Sequence, residues 1–210
     1  MLFELNGLAS IKNIQVINPS FAKVQVAFFD KSFSGEKEYT NSGVRWLELN
    51  QEDSQYLISL GDSAINSLVE ITANVVTSDC ENHYQNYKAR VFQILGGQQA
   101  SEAVKNKVVT MRGVGTIRSV KVLSENFVKV FVINSTKQGD KEIKSSRWLN
   151  VGGKKSKFFA ERGTGLVGAK LQFKAKANTT KQESEGEQAR YFDNYDVIDS
   201  DIVKWVEQAQ

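Results

Sequence analysis

The chain has 210 residues, 24% of them charged, and a formal net charge of +3. No run approaches the ~18 apolar residues of a membrane helix, and Met1-Leu2-Phe3-Glu4 lacks the basic start of a signal peptide, so an intracellular, membrane-free protein is expected. One cysteine, Cys80, excludes an internal disulfide framework. The charge is uneven. Residues 1–106 hold 8 Lys/Arg against 12 Asp/Glu, net −4, whereas residues 107–210 hold 19 against 12, net +7. Only the second half is expected to attract a polyanion strongly.

The first element, Leu2–Ile17, is a long strand-like run. Ile14 and Val16 alternate while Ile11 breaks their parity, which predicts a bulge or bend. Gly7 permits a close approach early in this strand. Asn18-Pro19-Ser20 is a turn, and Phe21–Phe29 is the next strand, with Ala22, Val24, Val26 and Phe28 on one face and Phe21, Lys23 and Gln25 on the other. A third strand is expected through Tyr39–Leu49, then a short helix over Glu52–Leu60 stopped by Gly61. Leu68–Thr77 and Tyr87–Leu95 are the fourth and fifth strands.

The order then repeats. At an offset of 106, Gly7–Phe28 aligns without a gap on Gly113–Asn134 with seven identities in 22 positions. The identities include Gly7/Gly113, Phe21/Phe127, Lys23/Lys129 and Val24/Val130. At an offset of 102, Arg45-Trp46-Leu47 meets Arg147-Trp148-Leu149, and Tyr56–Ser78 meets Phe158–Thr180, including Thr77/Thr179. The repeat is longer than a solenoid unit and marks two copies of one small domain. The expected boundaries are residues 1–95 and 107–198, a linker over 96–106, and a tail over 199–210 that reads as a short helix with Ile202, Trp205 and Val206 on one side.

Each copy reads strand, strand, strand, helix, strand, strand. The fold class is therefore mainly β: two tandem five-stranded Greek-key barrels related by internal duplication, each with one short helix. This order resembles the oligonucleotide/oligosaccharide-binding (OB) fold. As a whole the chain resembles the tandem-OB single-stranded DNA-binding proteins of phage, plasmid and cellular replication systems. The resemblance implies a non-enzymatic protein, without cofactor, that holds single-stranded DNA (or RNA) during replication, recombination or repair. Replication or recombination proteins and further copies of the chain are the partners it implies.

The candidate binding residues follow from the groups that grip an unpaired strand, namely rings that stack on bases and cations that meet phosphate. Phe21, Lys23, Phe127, Lys129 and Phe131 lie on the faces opposite the valines, and Arg118 lies in the repeated first strand. In Arg45-Trp46 and Arg147-Trp148, adjacent residues face opposite sides of a strand. If Leu47 is core, Trp46 is outward and stacks; if Trp46 is core, Arg45 is outward and meets phosphate. Lys174 and Lys176 replace Thr72 and Asn74 on the outer face of the fourth strand, and Lys154 and Lys155 precede the second helix. Tyr84, Tyr87 and Arg90 in copy one, and Arg190, Tyr191 and Tyr195 in copy two, border the loop between the last two strands. Cys80 and His83 alone fall short of the roughly four ligands of a zinc site. Two other classes stay open: an RNA-binding module, and a duplicated β-barrel that uses its aromatic faces to meet another protein.

Overall fold

A computed structural model describes residues 2–34, 37–78, 85–182 and 190–205. Its first half comprises β1 (Glu4–Asn18), β2 (Phe21–Ser34), β3 (Lys37–Glu48), α1 (Gln51–Leu60), β4 (Leu68–Thr77) and β5 (Gln85–Gly96). A one-turn-and-a-half helix, α2 (Gln98–Ala103), leads to the second set: β6 (Val109–Ser124), β7 (Phe127–Gln138), β8 (Lys141–Gly152), α3 (Lys154–Arg162), β9 (Lys170–Gln182) and β10 (Arg190–Lys204).

In each half the strand order closes on itself. The first runs β1-β2-β3-β5-β4 and returns through a β1–β4 pairing. The second runs β6-β7-β8-β10-β9 and returns through β6–β9. Closure leaves few open edges, which is how a small antiparallel sheet avoids adding further strands. The long first strand of each barrel serves two neighbours. β1 pairs with β4 over Glu4–Ser10 and with β2 over Ser10–Asn18, with register shifts between Ile11 and Asn13 and between Val16 and Asn18. β6 repeats both shifts, between Ile117 and Ser119 and between Val122 and Ser124. The parity break at Ile11 therefore marks a bulge at which the strand passes from one sheet wall to the other.

The barrels are filled as the period-two pattern dictates. Val24 and Val26 of β2, and Val128, Val130 and Val132 of β7, are fully buried, as are Ala73, Val75 and Ala175 on the fourth strands. Each valine so buried contributes on the order of 1.5–3 kcal/mol relative to exposure. Helix α1 starts at Asn50, whose Oδ1 accepts from the Asp53 amide at 2.8 Å, and stops at Gly61, where φ is +52°.

The barrels share a seam. β1 pairs with β6 from Glu4↔Arg112 to Gly7↔Val109. A Cβ on Gly7 would lie 2.0 Å from the Val108 carbonyl oxygen, and one on Gly113 would lie 2.6 Å from the Phe3 ring. The repeated glycine thus serves the approach of one barrel to the other. Phe3 crosses the seam to meet Phe173 edge-on at 5.1 Å, and its amide donates to Ser145 Oγ at 3.2 Å. The buried residues of both barrels form one continuous cluster.

One element departs from expectation. The segment Asp199–Lys204 is not helical but continues β10, paired with β9 down to Lys204↔Lys170. The i, i+3 spacing of Ile202 and Trp205 suits a helix, yet β9 offers unpaired backbone as far as Lys170. Pairing along that edge satisfies those groups and sets Ile202 against the core.

Candidate functional site

The Arg-Trp-Leu repeat divides into three roles. Leu47 and Leu149 are fully buried, so strand alternation turns Trp46 and Trp148 outward, with 36% and 42% of their surface exposed. The arginines point inward, which corrects their expected place on the ligand face: Arg45 is 2% exposed and Arg147 8%. They are not in either barrel's core but between the barrels.

Arg45 Nε donates to Tyr195 Oη at 3.2 Å, and its Nη1 reaches Thr179 Oγ1 at 2.8 Å and Asp193 Oδ1 at 2.9 Å. Arg147 Nη2 donates to Tyr87 Oη at 2.5 Å. Each guanidinium also faces the opposite tyrosine ring, at 5.3 Å for Arg45 over Tyr195 and 5.4 Å for Arg147 over Tyr87. The two phenols meet at 2.6 Å, and Tyr87 donates to Asp193 Oδ2 at 2.9 Å. Since Tyr87 has one proton and gives it to a carboxylate, Tyr195 is the donor between the two phenols. Thr77 and Thr179 extend the exchange. Thr179 Oγ1 accepts from the Val44 amide at 3.2 Å, and Thr77 Oγ1 accepts from the Ser146 amide at 2.9 Å. Tyr87, expected beside the ligand, is thus 4% exposed and part of this latch. The missed signal is a second repeated pair, Asn86-Tyr87 and Asn194-Tyr195, at an offset of 108 created by the longer second loop.

Burial, reinforced by Tyr195 and opposed by Arg147 and Arg45, holds the Tyr87 phenol well above its ordinary value of about 10. A raised folded-state value means that this contribution to stability is complete below about pH 10 and is lost as pH climbs through the raised value. Melting temperature is expected to fall on that alkaline side, and Tyr87→Phe should flatten the fall. An unchanged alkaline slope in the variant would contradict this role.

On the outer β7–β8 wall, Phe131 and Trp148 are register partners with ring centroids 5.2 Å apart. Lys129 lies beside them opposite Asn150, and its neighbour on β6 is Lys121. Lys121 and Lys129 form no ion pair among the described residues. The paired ends of β9 and β10 border this wall. Phe192, 46% exposed and absent from the expected set, lines one groove with Trp148, Lys129 and Lys121. Tyr191, the next residue and 63% exposed, lines a second groove with Trp46 and Gln25 on the first barrel. Alternation along β10 thus presents one ring to each barrel.

The first barrel's wall is plainer. Gln25 stands where the second has Phe131, and Lys23 is paired with Glu48 at 3.2 Å, where the second has Asn150. Phe21 and Phe127 are half-buried where β2 and β7 begin. Other expected cations have different work or a different place. Lys176 forms an ion pair with Asp30 of the first barrel. Lys155 donates to the Ile198 carbonyl at 2.9 Å and to Asp199 at 3.3 Å. Lys154 is exposed at the start of α3, and Arg118 is exposed at the β6 bulge. Lys174 is exposed on β9 opposite Arg112, a strand that borders neither β7 nor β8. Arg190 is exposed at the start of β10. Tyr84, like Cys80 and His83, lies outside the described residues. Among the described residues, no group of His, Cys, Asp and Glu is placed to hold a metal, and no helix is long and apolar enough to cross a membrane.

No protein-family model matches the chain, and no curated protein matches it by sequence. In three dimensions it is similar to a deletion mutant of the single-stranded DNA binding protein from Thermus aquaticus, with a TM-score of 0.64 and 9% sequence identity. The match covers 100% of this chain and 97% of that one. The likeness is one of fold: two five-stranded OB-like barrels in tandem.

Proposed function

We propose that the protein binds single-stranded DNA without catalysing a reaction, stacking bases on Trp148, Phe131 and Phe192 while Lys121 and Lys129 meet the backbone. The observation that carries this is the outward Phe131–Trp148 pair beside Lys121 and Lys129, which form no ion pair among the described residues, in a chain whose fold matches a single-stranded DNA binding protein from end to end. Each stacked base is worth ~1–3 kcal/mol, and every base has a face to stack. Trp46 and Tyr191 supply a second, weaker platform, because Lys23 is neutralised by Glu48. Two barrels would cover on the order of 8–30 nucleotides. Such binding suits the protection or presentation of strands in replication, recombination or repair.

The test is quenching of tryptophan fluorescence by a mixed-sequence oligonucleotide over a salt series. Affinity is expected to fall as salt rises, because cations on phosphate release counterions. Lys121→Glu with Lys129→Glu should weaken binding far more than Lys23→Glu, and equal losses would contradict the asymmetry. A protein that merely docks its aromatic walls on another subunit would show no quenching at low salt. Competition by RNA of the same sequence distinguishes the two nucleic acids, since stacking alone does not.

A further inference from the structure

Several cations that the aromatic walls leave out meet on another surface. β5, β4, β1, β6 and β9 pair in that order into one continuous sheet that crosses the seam. Directly opposite residues share a face, so one outward row reads Lys88, Asn74, Glu4, Arg112 and Lys174. Arg90 of β5 joins it. Its Nη1 lies 3.5 Å from Glu4 Oε2, and Arg112 donates twice to Glu4 Oε1, at 2.6 and 3.0 Å. Along β9 the same face continues from Lys174 through Gln172 to Lys170. Asp199 and Asp201 of β10 flank this stretch, and Asp199 is already held by Lys155 at 3.3 Å. Lys88, Lys170 and Lys174 are exposed and form no ion pair among the described residues. No outward residue of β4, β1, β6 or β9 over this stretch is aromatic.

We propose that this ring-free stripe takes the phosphate backbone of duplex DNA. An unpaired strand is gripped by rings as well as cations, and here its bases would find no ring. With neighbouring strands ~4.8 Å apart, Lys88 and Lys174 stand roughly 19 Å from each other. Over such a span a duplex carries about 11 phosphate charges and a single strand about half as many, so cations alone favour the duplex. The stripe also leads to the groove of the second barrel. The outward positions of β9 run from Lys174 through Lys176 to Asn178, which lines that groove ~13 Å away. The protein thus suits a junction where an unpaired strand meets a duplex. The junction rests on the single-strand reading above, whereas the stripe does not.

The experiment measures anisotropy of a labelled blunt duplex over a salt series, beside tryptophan quenching by an unpaired oligonucleotide. The duplex is expected to bind at low salt and to be released as salt rises. Lys88→Ala with Lys174→Ala should lower the slope of log affinity against log salt by about two, one per lost phosphate contact, while quenching by the unpaired strand stays unchanged. A duplex with an unpaired tail should bind the wild-type chain more tightly than either part alone, and this gain should vanish in the variant. No duplex binding at low salt, with quenching intact, would overturn the stripe and leave the single-strand reading standing. Duplex binding that ignores both substitutions would overturn its placement here. A variant that loses affinity for a long unpaired strand but not for the duplex would assign the stripe to single strands and overturn the proposal. Duplex binding without quenching by the unpaired oligonucleotide would support the stripe and overturn the single-strand reading alone.

Discussion

Trp148→Ala is expected to weaken binding of single-stranded DNA roughly 5- to 150-fold, the range that follows from ~1–3 kcal/mol of stacking per base. The ring is outward, backed by Phe131 at 5.2 Å, and flanked by Lys129 and Phe192. Removing it deletes one stacking surface and leaves the tilted Phe131 without its partner. Trp46→Ala is expected to cost several-fold less, because Gln25 lies beside it and Glu48 holds Lys23. Both tryptophans cover their own strands from outside, so neither substitution should move the melting temperature by more than a few degrees. Fluorescence anisotropy with a labelled oligonucleotide measures the first effect and calorimetry the second. Equal losses at the two sites would contradict the unequal division of labour between the barrels.

The second large effect is on stability. Arg45→Met should destabilise the protein by about 3–5 kcal/mol, the usual cost of removing one partner from a buried charged network. The guanidinium is 2% exposed and holds Tyr195, Thr179, Asp193 and the Asn178 carbonyl. Methionine fills part of the volume but satisfies none of these acceptors, so the Asn178 carbonyl loses its guanidinium donor in the seam. At ~2–4 °C per kcal/mol for a chain of this size, the melting temperature should fall by roughly 6–20 °C. Arg147→Met should act in the same direction through Tyr87. A shift under 2 °C in both variants would show that the barrels are held by the β1–β6 pairing and the Phe3 contact alone. Because Asp193 lines both aromatic grooves while binding Arg45, loss of the latch should also weaken DNA binding.

Much of the architecture was legible from residue order. The period-two alternation of Ala22–Phe28 and the repeat at offsets of 106 and 102 define two copies of one barrel, because burial on one face of a strand leaves that mark locally. Trp46 and Trp148 follow from the same rule once Leu47 and Leu149 are placed inside. Adjacent sequence could settle the parity of these residues but not which inside the arginines occupy. A buried arginine is tolerable only opposite phenols and carboxylates brought from the other barrel, and those partners lie 148 and 150 positions away in the chain. The same reason hid Phe192. Its place in the groove comes from β10 running beside a wall built some 60 residues earlier. Lys176 shows the converse, since a lysine with an outward pattern meets Asp30 of the neighbouring barrel.

What the sequence alone determined is therefore the unit, its duplication, the faces of its strands and the surplus of cations in the second half. These are properties of local alternation and composition, and any chain with this pattern must bury the same valines. What only the tertiary structure decided is the division of the repeated polar residues between a seam and two grooves. That division depends on how two barrels meet, and electrostatic partners are chosen by distance in space rather than by position along the chain.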